Sequence, residues 1–265
     1  LTGQLPPLDS CADTEALLAP ARRPRDAKTA TRVDAAQKTL ATVLAQSQAG
    51  HYTTAKELLA PLITEANVLG WRPLEGEVLL AAAQLADATG AYPDAVKLYK
   101  DAAVAAEAGR DDETAALARN GLVWVTGERL GKYAEAQDLA RDAEAKVERV
   151  GHNDMLRADL DQKMAAVLVD EGKYDEAEKR SQHVLEIRQK VLEPDDPRIA
   201  SALGDLGDVS SELTHYDAAI GYYRRALALL EKGGAPDPSL VGSLRVNLAS
   251  ALRYKGAIGD ALEEL

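Results

Sequence analysis

Few residues in this sequence have the types and the spacing that chemistry requires. None of the four histidines has a cysteine or a second histidine at the short spacing that metal sites use. His51 and His215 each precede a tyrosine in a predicted turn, where simple exposure explains them. His152 begins a predicted helix and His183 lies within one. We therefore predict no catalytic residue, no metal site and no cofactor.

The acidic runs and the single cysteine also have structural explanations. Asp111-Asp112-Glu113 and Glu193 to Asp196 lie at predicted helix starts, where interaction with the helix dipole accounts for their charge. The sequence contains neither a Gly-x-Ser-x-Gly nor a Gly-x-x-x-x-Gly-Lys motif. Cys11 is the one cysteine, which excludes an internal disulfide and fits a reducing, cytoplasmic compartment. We predict that this chain is not an enzyme.

A short motif recurs along the chain at a nearly constant interval. It consists of glycine, one spacer, tyrosine, two spacers and alanine, as in Gly172 to Ala177. Glycine permits the left-handed conformation that ends a helix, and alanine lets two helices approach closely. A constant period in this range predicts stacked helical hairpins, which must bury their apolar faces against one another. The tyrosine position recurs at intervals of 40 to 42 residues, at Tyr52, Tyr92, Tyr133, Tyr174, Tyr216 and Ile258.

Two of the repeats depart from this pattern. In the fifth repeat Thr214 replaces the turn glycine, and a β-branched residue is disfavoured in the left-handed region. We predict a differently shaped and less stable turn at Thr214. The sixth repeat leaves Leu262 and Leu265 without a following hairpin, so we expect further chain or a second copy to cover them. Apolar periodicity predicts helices at roughly 29–48, 53–69, 74–89, 92–108, 112–130, 133–150, 154–171, 174–192, 197–213, 216–231, 238–255 and 258–265.

Charge and hydropathy restrict the partners of the chain. It has 31 basic and 43 acidic residues, a net charge of −12, and nucleic-acid binding is not predicted because it needs a basic surface. No apolar run is long enough to cross a membrane, so no membrane contact is predicted. Residues 1–28, with a predicted short helix and a connector rich in Pro and Arg, lie outside the repeats, and 29–265 form the predicted array of six repeats, the last one truncated. In the first segment, Pro20 to Asp26 contains two prolines and three arginines, which predicts an extended, solvated connector. Contact with a phosphate or an acidic partner is the alternative for this basic run.

The repeats resemble tetratricopeptide repeats. Their period exceeds the usual 34 residues, as in the kinesin-light-chain type, to which Pro197 to Leu203 and Ser243 to Ala249 are similar. The resemblance implies an all-α fold, an α-solenoid in the form of a right-handed superhelix of about six hairpins, and a protein- or peptide-binding function. The fifth repeat carries the pattern best, in Leu203, Leu206, Gly207, Tyr216, Ala219, Tyr223 and Ala226.

The same resemblance predicts which residues bind a partner. In tetratricopeptide arrays the first helix of each hairpin lines a groove. The residues that face the groove lie at fixed numbers of residues before the turn tyrosine or its equivalent. Gly121 and Gly204 are also projected there, and tight helix packing is the favoured explanation for both over close approach of a ligand. The predicted partner-binding residues are Glu77, Gln84, Asp87, Glu128, Arg129, Asp159, Gln162, Asp170, Asp208, Glu212, Arg253 and Tyr254.

Acidic residues outnumber basic ones among these positions. An extended peptide containing Lys or Arg is therefore the expected partner, held by exposed ion pairs worth about 0.2–1 kcal/mol each. Simple solvation of an acidic surface is the alternative. A second resemblance, carried by Leu5 to Asp13 and by Gly121 to Val125, is to the region after the catalytic domain of myxobacterial-type serine/threonine kinases.

Three functions follow from these observations. The favoured one is a non-catalytic protein-docking module, the regulatory or sensor region of a bacterial serine/threonine kinase. The second is a ligand- or signal-peptide-sensing arm of a transcription regulator. The third is a scaffold that self-associates through its truncated C-terminal end. The flanking sequence separates the first two, and a concentration-dependent mass in solution would favour the third.

Overall fold

The repeats fold into consecutive α-helices. The computed structural model describes residues 23–151, 153–233 and 238–264, so Cys11, the segment Leu5 to Asp13, His152, Asp237 and Leu265 lie outside the described residues. Within the described ranges no strand is present, which confirms the predicted all-α class of repeated hairpins. The helices are α1 (Ala27–Gln48), α2 (Tyr52–Leu69), α3 (Arg72–Ala88), α4 (Tyr92–Ala108), α5 (Asp112–Trp124), α6 (Tyr133–Val150), α7 (Asp154–Asp170), α8 (Tyr174–Val191), α9 (Pro197–Glu212), α10 (Tyr216–Lys232), α11 (Pro238–Lys255) and α12 (Ile258–Glu263).

The described residues form two compact units. Unit 1 ends at Val125 and unit 2 begins at Thr126. The single array over residues 29–265 stays a prediction. Each unit is built from the same kind of helical hairpin.

Unit 1 holds the hairpins α1–α2 and α3–α4, followed by α5. Its core consists mainly of aliphatic side chains from α1, α2 and α3, among them Val33, Leu59 and Leu85. The repeat alanines Ala55 and Ala95 are completely buried. Burial between closely packed helices favours a small side chain, which accounts for the recurrence of alanine there.

Unit 2 holds α6 to α12, and each of these helices packs against the next. Its core passes through α8, α9, α10 and α11 and includes Ile199, Leu206, Tyr223 and Leu248. No hairpin could bury such a stripe of apolar side chains alone, so stacking of neighbours stabilises the unit.

The turn before each second helix contains a residue with a left-handed backbone, including the turn at Thr214. The Thr214 amide donates to the Ser211 carbonyl at 2.9 Å, and the His215 amide donates to Ser210 at 2.8 Å. The turn at Gly172 makes the equivalent bonds at the same two lengths. Thr214 has a φ of 61°, and the turn glycines have φ values from 64° to 93°, at Gly50, Gly90, Gly131, Gly172 and Gly256. The prediction of a differently shaped turn is therefore wrong, because the hydrogen bonds that satisfy the helix end impose the left-handed conformation on threonine.

A π-helical turn, Val125–Arg129, follows α5 where the sequence predicted one α-helix over 112–130. The Lys132 amide donates at 3.0 Å to the carbonyl of Thr126, six residues back, whereas the equivalent bond of the other turns spans five residues. The π turn therefore accommodates one extra residue, as such turns do within helices.

Close packing accompanies this π turn. A Cβ on Gly127 would lie 2.5 Å from a methyl group of Val167 in α7. The side chain of Thr126 is buried beside it. The turn thus brings the backbone near α7 and positions the two residues that follow, Glu128 and Arg129.

Candidate protein-docking faces

All twelve predicted partner-binding residues lie on a first helix or on the π turn, and none of them is buried. Three belong to unit 1, and we call them the α3 face: Glu77, Gln84 and Asp87. Nine belong to unit 2, and we call them the unit 2 face: Glu128, Arg129, Asp159, Gln162, Asp170, Asp208, Glu212, Arg253 and Tyr254. Their accessibility permits binding, and their role in binding stays a prediction.

Two acidic residues of the unit 2 face come together from neighbouring elements. Glu128 on the π turn is hydrogen-bonded to Asp170 at the end of α7. Burial, the hydrogen bond with Asp170 and the charge of Asp170 raise the pKa of Glu128 to about 7, and Arg129 opposes the rise. Two carboxyl groups can share a hydrogen bond only while one is protonated. This pair therefore gains or loses a proton near neutral pH.

Gln162 is less available to a partner than its exposure suggests. Its Nε2 donates to Asp205 at 2.7 Å, and its Oε1 accepts from Arg188 at 2.6 Å. Burial raises the pKa of Asp205 to about 6, while the hydrogen bond from Gln162 lowers it. Gln162 thus joins α7 to α8 and α9, and its amide is occupied within the protein.

Asp208 is similarly engaged. It accepts from the Tyr223 hydroxyl at 2.6 Å and from the Asn247 side chain at 2.8 Å. Burial raises the pKa of Asp208, and these two hydrogen bonds oppose the rise. The carboxylate connects α9 to α10 and α11 while it remains exposed on one side.

Turn tyrosines contact the unit 2 face, which sequence reasoning did not predict. The Tyr174 hydroxyl is hydrogen-bonded to Glu212, which raises the pKa of that hydroxyl. The Tyr216 ring stacks on Tyr254 at a centroid distance of 5.6 Å, and the Arg253 guanidinium lies 4.7 Å from the centroid of the Tyr254 ring. Tyr174 and Glu212 are 38 residues apart, and so are Tyr216 and Tyr254. This shared spacing is the feature of the sequence that could have predicted both contacts.

The two glycines projected onto the groove are buried packing residues. A Cβ on Gly121 would lie 2.3 Å from the ring of Tyr99, and one on Gly204 would lie 2.9 Å from a methyl group of Leu244. Tight helix packing, the favoured explanation, is therefore confirmed for both. Neither backbone is open to a ligand.

The other residues singled out by their chemistry have structural partners. Asp111 accepts from the Thr114 amide at 3.0 Å as an N-cap, as predicted for an acid at a helix start. His183 lies 2.7 Å from the buried carboxylate of Asp161. In the described ranges no three His, Cys, Asp or Glu side chains form a group that could hold a metal ion. No helix in those ranges is both long and apolar enough for a bilayer.

Comparisons with known proteins agree with this arrangement. A family model described as tetratricopeptide repeat matches residues 154–232, which cover α7 to α10. The fold is similar to that of BtubC (BKLC) from P. vanneervenii, with a TM-score of 0.65, 20% identity and coverage of 91% of this chain and 89% of that one. No curated protein matches the sequence.

Two further solved structures share the fold. A putative kinesin light chain with TPR-like repeats from Podosopora anserina has a TM-score of 0.58 and 18% identity, over 70% of this chain and 89% of that one. A Rap protein complexed with Competence and Sporulation Factor has a TM-score of 0.63 and 16% identity, over 89% and 74%. Residues 154–232 are therefore tetratricopeptide repeats, and the described helices have the fold of tetratricopeptide repeat proteins, including those with kinesin-light-chain-like repeats. This fold supports a protein–protein interaction module.

Proposed function

We propose that this chain is a non-catalytic docking module whose unit 2 face holds an extended peptide containing Lys or Arg. The observation that carries the proposal is the carboxyl pair Glu128–Asp170, which lies on an accessible surface and shares a proton, with Arg129 as a nearby positive charge. A guest ammonium or guanidinium group would replace that proton and give both carboxylates a charged partner. Arg253 and Tyr254 at the other end of the face add side chains that are frequent at binding hot spots.

A peptide array covering acidic, neutral and basic sequences, probed at low and high salt, tests this proposal. We expect salt-sensitive capture of basic peptides, because exposed ion pairs are screened by salt. The double variant Glu128→Gln plus Asp170→Asn keeps the shape of the pair and should weaken capture by about threefold to tenfold, the value of a few exposed ion pairs.

A matched control separates the carboxyl pair from general acidity. Asp142 on α6 and Asp175 on α8 are exposed acids on second helices. Asp142→Asn plus Asp175→Asn removes the same charge, and capture should stay near that of the wild type. Equal losses in the two double variants would show that net charge alone attracts the peptides, and no capture by any variant would overturn the proposal.

Proton exchange gives this function a second signature. A cationic guest favours the fully ionised pair, so affinity should rise as the pH increases through about 7, the pKa of Glu128. Binding below that pH should release a proton, which calorimetry detects as a heat that depends on the ionisation enthalpy of the buffer. Glu128→Gln should abolish both effects.

The kind of protein to which this docking module belongs is a separate proposal. A position after a serine/threonine kinase domain is supported by the resemblance at Leu5 to Asp13, and a kinase reading frame upstream in the gene would test it. A sensing arm is the second candidate, supported by the fold shared with the Rap protein complexed with Competence and Sporulation Factor. A helix-turn-helix domain beside the chain would favour that candidate. A cytoplasmic location is part of the same proposal and is supported by the single cysteine.

A further inference from the structure

The last residues of the connector, Arg23 to Asp26, lead directly into α1. Asp26 caps α1 by accepting from the Thr29 hydroxyl at 2.7 Å and from the Thr29 amide at 2.8 Å, and both bonds lower the pKa of Asp26. Pro24 restricts the residue before it to an extended backbone, so Arg23 cannot continue the helix. The side chain of Arg23 instead reaches back along α1.

Arg23 binds to residues near the α3 face of unit 1. Its Nη1 lies 2.7 Å from Oδ1 of Asp34, and its Nη2 donates to Oε1 of Gln37 at 3.3 Å. Gln37 in turn donates to Glu77 at 3.5 Å. A guanidinium from the connector thus binds to residues of α1, one of which contacts the predicted partner-binding residue Glu77 on α3.

Electrostatics link the same residues. Burial raises the pKa of Glu77, the hydrogen bond from Gln37 lowers it, Asp111 raises it and the charge of Arg23 lowers it. Arg23 also lines an open cavity of about 420 Å³ together with Trp71, Pro73 and the loop from Gly109 to Glu113. The indole N–H of Trp71 is buried without a hydrogen-bond acceptor among the described residues.

We infer that Asp34, Gln37 and Glu77 form an arginine-binding subsite, that Arg23 occupies it as an internal ligand, and that a guest arginine binds there by displacing Arg23. The inference rests on the proposed function and specifies it: it names arginine as the recognised residue and the connector as its competitor. The contact is suited to exchange, because the side chains of Arg23 and Asp34 remain 61% and 49% exposed and water can replace each partner.

The connector itself supplies a probe. A fluorescent peptide with the sequence PARRPRD, that of residues 20–26, is titrated into the full chain and followed by anisotropy at low and high salt. Arg23→Ala removes the internal competitor and should bind the peptide about twofold to fivefold more tightly than the wild type, the range expected for one exposed ion pair. The gain should shrink at high salt.

Arg25→Ala is the matched control. Arg25 carries the same charge two residues away and is exposed, with no ion pair among the described residues. This variant should bind the peptide as the wild type does. Adding Asp34→Asn to Arg23→Ala removes the receptor carboxylate and should reverse the gain. Thermal unfolding of each variant confirms that it remains folded.

Each outcome has a distinct meaning. Equal affinities for the Arg23→Ala and Arg25→Ala variants would overturn internal competition. If the wild type also captures basic peptides through Glu128 and Asp170, the proposed function survives that result. If no variant binds any basic peptide, the proposed function fails together with the inference. Limited trypsin digestion adds an independent readout, because Asp34→Asn should speed cleavage after Arg25 when the connector is released, and an unchanged rate would also overturn the internal contact.

Discussion

Tyr99 in unit 1 and Tyr223 in unit 2 occupy the same place in their repeats, seven residues after the turn tyrosine, yet they pack against glycines at different positions. The ring of Tyr223 on α10 lies against Gly207 of α9, within its own hairpin. The ring of Tyr99 on α4 lies against Gly121 of α5, the helix that follows. Both rings are buried.

Small differences in sequence explain the two arrangements. Ala83 of α3 holds the place in its repeat that Gly207 holds in α9, so it carries a methyl group where Gly207 has none. Gly121 instead leaves space on the next helix, where the equivalent residue of α11 is Val246. The comparison shows that the position of a single missing methyl group selects the helix on which a large side chain packs.

The largest expected effect comes from filling these two spaces. A Cβ on Gly121 or Gly207 would lie 2.3 Å or 2.4 Å from a tyrosine ring carbon. Gly121→Ala and Gly207→Ala should each lower the free energy of unfolding by about 1–3 kcal/mol, the usual cost of overpacking. Urea denaturation, followed by circular dichroism, measures this loss in the free energy of unfolding.

Gly221 of α10 provides the control, because a Cβ there would meet nothing within 4 Å. Gly221→Ala should raise the free energy of unfolding by about 0.5–1 kcal/mol through helix propensity. Adding Ala83→Gly to Gly121→Ala should recover part of the loss if the Tyr99 ring can move to the vacated space. Purely additive effects would show that other contacts fix the ring.

The carboxyl pair gives the second prediction, since unit 1 has Ser47 and Ala88 at the places that Glu128 and Asp170 hold in unit 2. Native Glu128 holds its proton more tightly than the unfolded chain does, because its pKa is raised from 4.5 to about 7. The free energy of unfolding should therefore fall as the pH rises from 4.5 to about 7.

Glu128→Gln should remove this dependence and stabilise the protein above pH 7 by about 1 kcal/mol, a value reduced for solvent screening of a partly exposed pair. Urea denaturation of both proteins below pH 5 and above pH 7 measures the difference. Parallel pH profiles would mean that Glu128 ionises normally in the native protein.

The third prediction concerns the turns. Thr214 in unit 2 has the left-handed φ that Gly90 has in unit 1, with a β-branched side chain where glycine carries no strain. Thr214→Gly should raise the free energy of unfolding by about 0.5–1 kcal/mol, and Gly90→Thr should lower it by about 1–2 kcal/mol. A Cβ on Gly90 meets nothing within 4 Å, so its effect is confined to the backbone. Destabilisation by Thr214→Gly, measured by thermal unfolding, would show that the threonine side chain contributes more than its strain costs.

The sequence alone determined the features that depend on short-range chemistry. Apolar periodicity and cap residues placed most helix bounds within about two residues, and the repeat alanines, such as Ala177, were correctly assigned to the contact between helices. The resemblance to tetratricopeptide repeats identified the fold and placed twelve accessible residues on first helices or on the π turn. These properties follow from neighbours within a helical turn, which a sequence displays directly.

Tertiary structure decided what depends on residues far apart in the chain. The close approach of the π turn to α7, where a Cβ on Gly127 would lie 2.5 Å from a methyl group of Val167, joins residues that are 40 positions apart. The shared proton of Glu128 and the hydrogen bond between Tyr174 and Glu212 exist only because stacking brings separate hairpins together. Periodicity establishes that hairpins stack, but the distance between two side chains on different helices depends on every residue packed between them.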